Sequence, residues 1–163
     1  MLPWSERPIE ANLFNPAFCA LVLRHAIDTY QKSALRGMDY SMAFVVLPAV
    51  LHKATREMIP SIITTKLHVW AQRHHEVRIG FANRMQNMVP ITKEAVLFGV
   101  QHGALRFNED GALVLGHSPL NEYGIEPDSE AAFCLKKATF VGRWFADAGT
   151  TPTLLAAWGV KID

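Results

Sequence analysis

Two cysteines and seven histidines are the residues of this sequence best suited to act as nucleophiles or metal ligands. Cys19 would need to be a thiolate beside a base to act as a nucleophile, but it lies between Phe18 and Leu21 on the apolar side of a predicted helix. Such a position is typical of a buried thiol that packs as a small hydrophobe. Cys134 has a similar apolar setting, so we expect two free thiols in a reducing compartment and no disulfide.

Four histidines form the best grouping for a metal site, namely His68, His74, His75 and His102. Their spacing is not that of a zinc finger, and no cysteine pair accompanies them. The adjacent His74 and His75 stand at a predicted helix boundary and therefore point in different directions. We predict no bound metal and no other cofactor.

Other catalytic motifs are also missing from the sequence. It contains no phosphate-binding loop and no nucleophile elbow, and its acidic residues are scattered. We therefore predict a protein that is not an enzyme. An enzyme of unfamiliar type stays as an alternative, in which His52, Arg56 and the carboxylate of Glu57 or Asp28 would converge on a pocket.

A short charged stretch, residues 52–57, separates two apolar segments. One interpretation is the end of one helix followed by a new one, with Thr55 as a cap and with His52 and Lys53 placed favourably at the preceding helix C-terminus. The other is a rigid contact point for a partner. The candidate partner-binding residues here are His52, Lys53, Thr55 and Arg56.

A second basic group lies on the last long helix, where Lys136 and Arg143 are seven residues apart and so share a face. We place that face opposite much of a Phe and Trp stripe; it is either a solvated surface or a contact surface. The candidate partner-binding residues are Lys136, Lys137, Arg143 and Trp144. Gly142, inside this helix, costs about 1 kcal/mol relative to alanine, which suggests that a neighbour, from this chain or another, approaches closely there.

The composition limits the classes of partner. Half of the 163 residues are hydrophobic and 19% are charged, against about 25% charged in typical soluble domains. A chain this apolar is expected to leave some apolar surface for a protein partner. The net charge of +1 argues against a general grip on nucleic acid, which needs clustered positive charge.

The longest apolar run, Met42 to Leu51, contains Pro48. It is too short for a membrane span, which needs about 20 apolar residues, so we interpret it as a core helix. The N-terminus lacks the basic and apolar regions of a secretory signal. We predict a cytoplasmic protein with no membrane contact.

The elements that position these residues are mostly helical. Asn15-Pro16 begins a first helix, and Gly37 should end it. Ser41 caps a second helix through Leu51, which Pro48 should bend or end. Residues 1–14 form an arm that is expected to dock through Trp4, Ile9, Leu13 or Phe14.

The middle of the chain predicts three helices followed by a hairpin, which is the order of a winged helix. The predicted elements are a helix from Thr64 or Thr65, a helix over about 76–88, a helix that Thr92 caps and Gly103 ends, and strands 104–107 and 112–115 joined by a turn. A winged helix commonly reads DNA with its third helix. The weak DNA-binding candidates are Arg73, Arg78, Arg84 and Lys93.

We therefore predict a mainly α fold with a small β-hairpin. A winged-helix-like module over 61–116 would pack with an N-terminal helical part at 15–60 and C-terminal helices at 129–159. We expect the whole chain, 1–163, to be a single domain, because its length suits one hydrophobic core.

Five short motifs follow one another along nearly the whole chain. They are Asn15-Pro16-Ala17-Phe18, Leu47-Pro48 through Leu51-His52-Lys53-Ala54-Thr55-Arg56, Val89-Pro90-Ile91-Thr92, Leu135-Lys136-Lys137-Ala138 through Gly142-Arg143-Trp144-Phe145, and Trp158-Gly159-Val160. In order and spacing, these motifs resemble the middle component of bacterial three-component ABC-ATPase systems, including the Lamassu-like ones.

The resemblance implies a non-catalytic subunit that works with an ABC or SMC-like ATPase and a separate effector, often a nuclease. It implies a part in bacterial defence against phage and plasmids. The chain would be a scaffold or regulatory subunit that couples DNA sensing by the ATPase to effector release, with only indirect or weak DNA contact. The alternative is a winged-helix DNA-binding regulator.

Overall fold

The structure is a computed structural model that describes residues 13–161 of the chain. Most of the predicted N-terminal arm, including Trp4 and Ile9, therefore lies outside the described residues. Leu13 is buried and Phe14 packs against the core. Within residues 13–161, no helix combines the length and apolar character needed to cross a bilayer.

The described chain is mainly helical with one hairpin, which confirms the predicted fold class. The helices are α1 (Pro16–Ala34), α2 (Tyr40–Leu51), α3 (Lys53–Met58), α4 (Leu67–Arg73), α5 (His75–Arg78), α6 (Phe81–Asn87), α7 (Val89–Gln101), α8 (Glu130–Ala146) and α9 (Thr151–Ala157). The strands are β1 (Leu105–Phe107) and β2 (Leu113–Leu115), which pair antiparallel.

Helix α1 begins as predicted and ends earlier than predicted. The Asn15 side chain accepts a hydrogen bond from Ala17 N at 2.8 Å, with Pro16 in the first turn. The helix ends at Ala34, and its C-cap residue Leu35 takes a left-handed conformation with φ 58. Gly37 lies just beyond, where a Cβ would be 2.9 Å from the Ala112 Cβ. Its small size therefore serves the approach of the hairpin, which pairs with the next residue, Met38.

Helix α2 differs from the prediction at both its cap and its proline. It begins at Tyr40, and its cap residue is Asp39, whose carboxylate accepts a hydrogen bond from the Thr151 hydroxyl. Pro48 does not end the helix, which continues to Leu51. Every residue from Met42 to Leu51 is buried, so packing on all sides compensates for the hydrogen bond that the proline cannot make.

Two predictions in the middle of the chain are wrong. The helix predicted over 76–88 is split, because Gly80 adopts a φ of 75 between α5 and α6. Thr92 is not a cap. It lies fully buried inside α7, which begins at Val89 with Pro90 in its first turn.

The hairpin follows α7 as predicted, but the winged-helix arrangement is not confirmed. Helix α7 packs chiefly against α1, and α4 makes its main inter-element contacts with α9. The three central helices are therefore joined to the outer helices more than to one another. The buried apolar residues form one cluster that extends from Leu13 to Trp158; the division into three parts stays a prediction.

The packing of α1 against α8 is the most extensive helix–helix contact of the described chain. At its centre, a Cβ on Gly142 would overlap the carbonyl oxygen of Ala26 and the hydroxyl of Thr29. The Thr29 hydroxyl donates to Thr139 O at 2.8 Å, which links the two helices directly. The predicted close approach at Gly142 is confirmed, and the neighbour belongs to this chain.

Indole rings hold the segment after α3 against α8 and α9. Trp70 lies 5.1 Å from Trp144 and 5.3 Å from Trp158, measured between ring centroids. The Trp144 indole N–H donates to Thr65 O at 2.8 Å, and the Trp70 indole N–H donates to Met58 O at 2.8 Å. These contacts fix the two ends of the segment 58–66, Met58 against α4 and Thr65 against the last turn of α8.

We expect Gly142→Ala to lower the free energy of unfolding by about 3 kcal/mol, although alanine has the higher helix propensity. The added methyl group would meet the backbone oxygen of Ala26, which cannot move without bending α1. Urea denaturation of the purified chain measures the loss.

Gly99→Ala is the matched control, because Gly99 is also helical and buried. Its Cβ would lie 2.7 Å from Cδ1, 2.8 Å from Cγ and 3.3 Å from Cβ of Leu105, which are all side-chain atoms, whereas the atom met at Gly142 is a backbone oxygen. We expect a loss of about 1 kcal/mol or less. Equal losses for the two variants would contradict the proposed role of the α1–α8 approach.

Candidate functional site

A groove of about 540 Å³ lies between α3 and the first half of α8. Its lining residues are Lys53, Arg56, Glu57, Ser61, Glu130, Phe133, Lys136, Lys137 and Phe140. We call it the α3–α8 groove. It brings together candidates from both basic groups of the sequence, two from the stretch after α2 and two from α8.

His52 sets the direction of α3. It is the residue between α2 and α3, and its Nδ1 accepts a hydrogen bond from Thr55 N at 3.4 Å and lies 2.8 Å from Thr55 Oγ1. The interpretation of Thr55 as the cap is therefore wrong, because His52 caps the helix and Thr55 is buried beneath it. This turn places Lys53 at the groove and Arg56 beneath it.

Arg56 forms the floor of the groove and is only 5% exposed. Its guanidinium donates to Val50 O at 2.9 Å, to Glu130 Oε1 at 2.8 Å and to Cys134 Sγ at 3.2 Å. One side chain thus joins the C-terminal end of α2, where carbonyls lack helical partners, to the first turns of α8. Because its N–H groups donate to other residues of the chain, Arg56 holds the two walls of the groove together.

Lys137 joins α8 to the segment that follows α3. Its Nζ donates to Ile59 O at 3.0 Å and to Pro60 O at 3.4 Å, and it lies 5.8 Å from the centroid of the Phe140 ring. Burial lowers the pKa of Lys137, and the positive charges of Arg56 and Lys136 lower it further. Lys137 therefore fastens the chain after α3 to α8 in the way that Arg56 fastens the chain before it.

The groove also has side chains that this chain leaves free. Lys53, Glu57 and Lys136 are exposed, and none belongs to an ion pair among residues 13–161. Phe133 is 53% exposed, one helical turn before Lys136. An exposed phenylalanine beside unpaired lysines is a surface suited to binding another molecule.

Two phenylalanines of α8 lie beside the lysines. The face of Lys136 and Arg143 was expected opposite much of the Phe and Trp stripe, but Phe133 and Phe140 share the groove with Lys136 and Lys137. Their spacing of seven residues was the available signal, since it puts them on one face of the helix. Ser61 and Glu130 had no such signal, because only the tertiary fold brings them here.

The sequence of this chain matches a known protein family. A family model for Middle Component 3 (MC3) of the ABC-three component (ABC-3C) system matches residues 4–162. The chain belongs to this family. The resemblance to a middle component of a three-component ABC system is thereby confirmed. No curated protein and no solved structure matches the chain.

Four of the eight partner-binding candidates of this middle component do not line the groove. They are His52 and Thr55, which form the turn into α3, and Arg143 and Trp144. Arg143 is exposed further along α8, in a smaller depression with Ile63 and Asp147. Trp144 is 0% exposed and packs among the indole rings of Trp70 and Trp158. In the described chain, Trp144 is part of the core.

The four DNA-binding candidates are dispersed, and the side chains of two of them donate hydrogen bonds to other residues of this chain. The guanidinium of Arg78 donates to Ala156 O at 3.0 Å, and that of Arg84 donates to Thr55 Oγ1 at 3.1 Å. Burial also lowers the pKa of Arg84. Arg73 and Lys93 are exposed on different helices.

Nucleophilic chemistry has little support in the described middle component. Burial raises the pKa of Cys19 to about 12 and that of Cys134 to about 11, so both stay protonated at neutral pH. The predicted free, buried thiols are confirmed. Of the residues of the enzyme alternative, Arg56 and Glu57 line the α3–α8 groove. The Asp28 carboxylate instead pairs with Lys32 at 2.9 Å, and the His52 imidazole bonds to Thr55.

One array of hydroxyl, imidazole and carboxylate was not found from the sequence. His25 Nδ1 lies 3.2 Å from Thr139 Oγ1, and its Nε2 lies 3.2 Å from Glu122 Oε1. The Thr139 hydroxyl also lies within hydrogen-bonding distance of Leu135 O, at 3.1 Å within α8. The array fastens the loop before α8 to α1. No cluster of three or more metal-ligating side chains occurs in the described part of the chain.

We expect Arg56→Met to lower the free energy of unfolding by about 2 kcal/mol, because it leaves the Val50 carbonyl and the Glu130 carboxylate without their charged donor. Glu130→Gln is the control. Glu130 is partly exposed and glutamine keeps an acceptor oxygen, so its loss should be smaller. Urea denaturation of both variants measures the difference, and a larger loss for Glu130→Gln would contradict this role of Arg56.

The pKa of His52 is lowered, first by burial and then by the charges of Arg84 and Arg56. As the pH falls, His52 therefore takes up a proton near pH 6.5 in the unfolded chain, and only at a lower pH in the folded chain. Stability that is fully present above pH 6.5 is expected to fall as the pH drops toward the lower, folded-state pKa. His52→Asn keeps a capping acceptor without a titrating group, so it should have a shallower acid-side loss. Unfolding free energies of both chains across this pH range test the prediction, which identical pH profiles would overturn.

Proposed function

We propose that this middle component is a non-catalytic scaffold or regulatory subunit that links an ABC or SMC-like ATPase to an effector in a bacterial anti-phage or anti-plasmid defence complex. The observation that carries the proposal is the family match over residues 4–162. A chain assigned as one component of a three-component system has other proteins to bind. The effector, which the resemblance implies is often a nuclease, would supply the chemistry.

The side chains of the chain support a binding role. Its two thiols are protonated and buried, and the contacts of His25 with Thr139 and Glu122 join the loop before α8 to α1 in the described structure. By contrast, the α3–α8 groove presents Lys53, Lys136 and Phe133 without partners among residues 13–161. A rigid surface with exposed aromatic and basic groups is suited to recognition. We propose that the complex acts in the cytoplasm.

The alternative, a winged-helix DNA-binding regulator, has weaker support. The net charge is +1, and Arg78 and Arg84 are bonded within the chain. Phosphate binding depends on several lysine or arginine contacts made together. We propose that any contact of the chain with DNA is indirect or weak.

Co-expression of the tagged chain with the ATPase and effector of its own system tests the proposal. We expect the three proteins to co-purify and to elute together in gel filtration. The isolated chain should leave the mobility of a DNA fragment unchanged at low salt. Elution of the chain as a lone monomer with all components present would refute the scaffold function, and tight, steeply salt-dependent DNA binding would favour the regulator.

A further inference from the structure

We infer that the α3–α8 groove is the docking site for a segment of a partner protein that carries carboxylates on either side of a bulky apolar side chain. The inference rests on the proposed function, in that it assumes that the chain binds another component. It adds where the partner binds and which side chains the partner supplies.

The cations of the groove fall into two groups. Arg56 and Lys137 donate hydrogen bonds to backbone carbonyls, and Arg56 also donates to Glu130. Lys53 and Lys136 are exposed and have no ion pair within the described chain. They stand on different walls of the groove, one on α3 and one on α8. A ligand between them therefore meets a positive charge on each side, and carboxylates complement that pattern.

An aromatic surface shares the groove with these charges. Phe133 is 53% exposed, and Phe140 lines the same groove half-buried, next to the Lys137 ammonium. Contact with water is unfavourable for a phenylalanine ring, so a partner side chain that covers Phe133 gains hydrophobic stabilisation. The matching side chain is bulky and apolar, and in our proposal the partner's carboxylates flank it.

Both walls of the groove are held in place by hydrogen bonds within this chain, without any partner. Arg56 ties α8 to the end of α2, and Lys137 ties it to Ile59 and Pro60. A site held by such internal bonds loses little conformational entropy on binding. The exposed lysines and phenylalanine are thus carried on a rigid base.

A protein segment suits this surface better than a nucleic-acid strand does. The acids Glu57 and Glu130 also line the groove, and a phosphate backbone presents a negative charge at every nucleotide. A protein segment can place carboxylates at the two lysines and an uncharged side chain near Glu57. The mixed lining therefore favours a protein partner.

The first experiment uses the co-expressed three-component complex with variants of this chain. We expect the double variant Lys53→Glu and Lys136→Glu, and separately Phe133→Ala, to weaken binding by about tenfold or more. The matched controls are Lys93→Glu, an exposed lysine on α7, and Phe107→Ala, an exposed phenylalanine on β1. They should bind as the unchanged chain does. Thermal unfolding of each variant checks that the fold is intact.

The second experiment identifies the bound segment. A photo-reactive benzoyl-phenylalanine replaces Phe133 in the full chain, and mass spectrometry locates the cross-link in the partner. We expect a segment with two or more Asp or Glu residues around a bulky apolar one. Changing those acids to lysine should restore binding to the Lys53→Glu and Lys136→Glu variant.

The possible outcomes separate the two proposals. If the unchanged complex forms and the groove variants bind as tightly as the controls, the docking site is wrong while the scaffold function stands. A cross-link to a basic or uncharged segment, or to nucleic acid, also overturns the inference. If the unchanged chain binds no component, both the scaffold function and the docking site are refuted.

Discussion

The close contact between α1 and α8 is the constraint on which the rest of this middle component depends. At Gly142 the two helices approach so closely that a methyl group would overlap the Ala26 carbonyl. The approach lets the Thr29 hydroxyl reach across to Thr139 O. Since α8 also carries Phe133 and Lys136, the position of one wall of the groove is set by a contact about two to three helical turns away on the same helix.

Arg56 fixes the other wall, which α3 forms, relative to α8. Its guanidinium is buried, and it connects the last carbonyls of α2 to Glu130 at the start of α8. A buried charge is costly unless its N–H groups are satisfied, and here backbone carbonyls, a carboxylate and a thiol satisfy them. Burial of Arg56 and half-burial of Lys137 remove two cations from the surface and leave Lys53 and Lys136 as the exposed lysines of the groove.

Prediction from the sequence succeeded where the signal is local. The Asn15 cap of α1, the hairpin strands and the helix that follows Ser129 depend on residues within a few positions of one another. It failed where distant packing decides. Pro48 lies inside a helix because the core surrounds it, and Thr92 is buried in α7 although its side chain is a typical cap.

The sequence by itself determined the mainly helical fold, the buried thiols and the membership of the middle-component family, because periodicity, apolar setting and motif order are properties of the chain. It also identified Lys53 and Lys136 as surface candidates. Only the tertiary structure decided that these two lysines share one groove, that Phe133 is exposed in the same groove, and that Trp144 belongs to the core. Side-chain exposure depends on which helices meet, and contacts between residues far apart in sequence settle that.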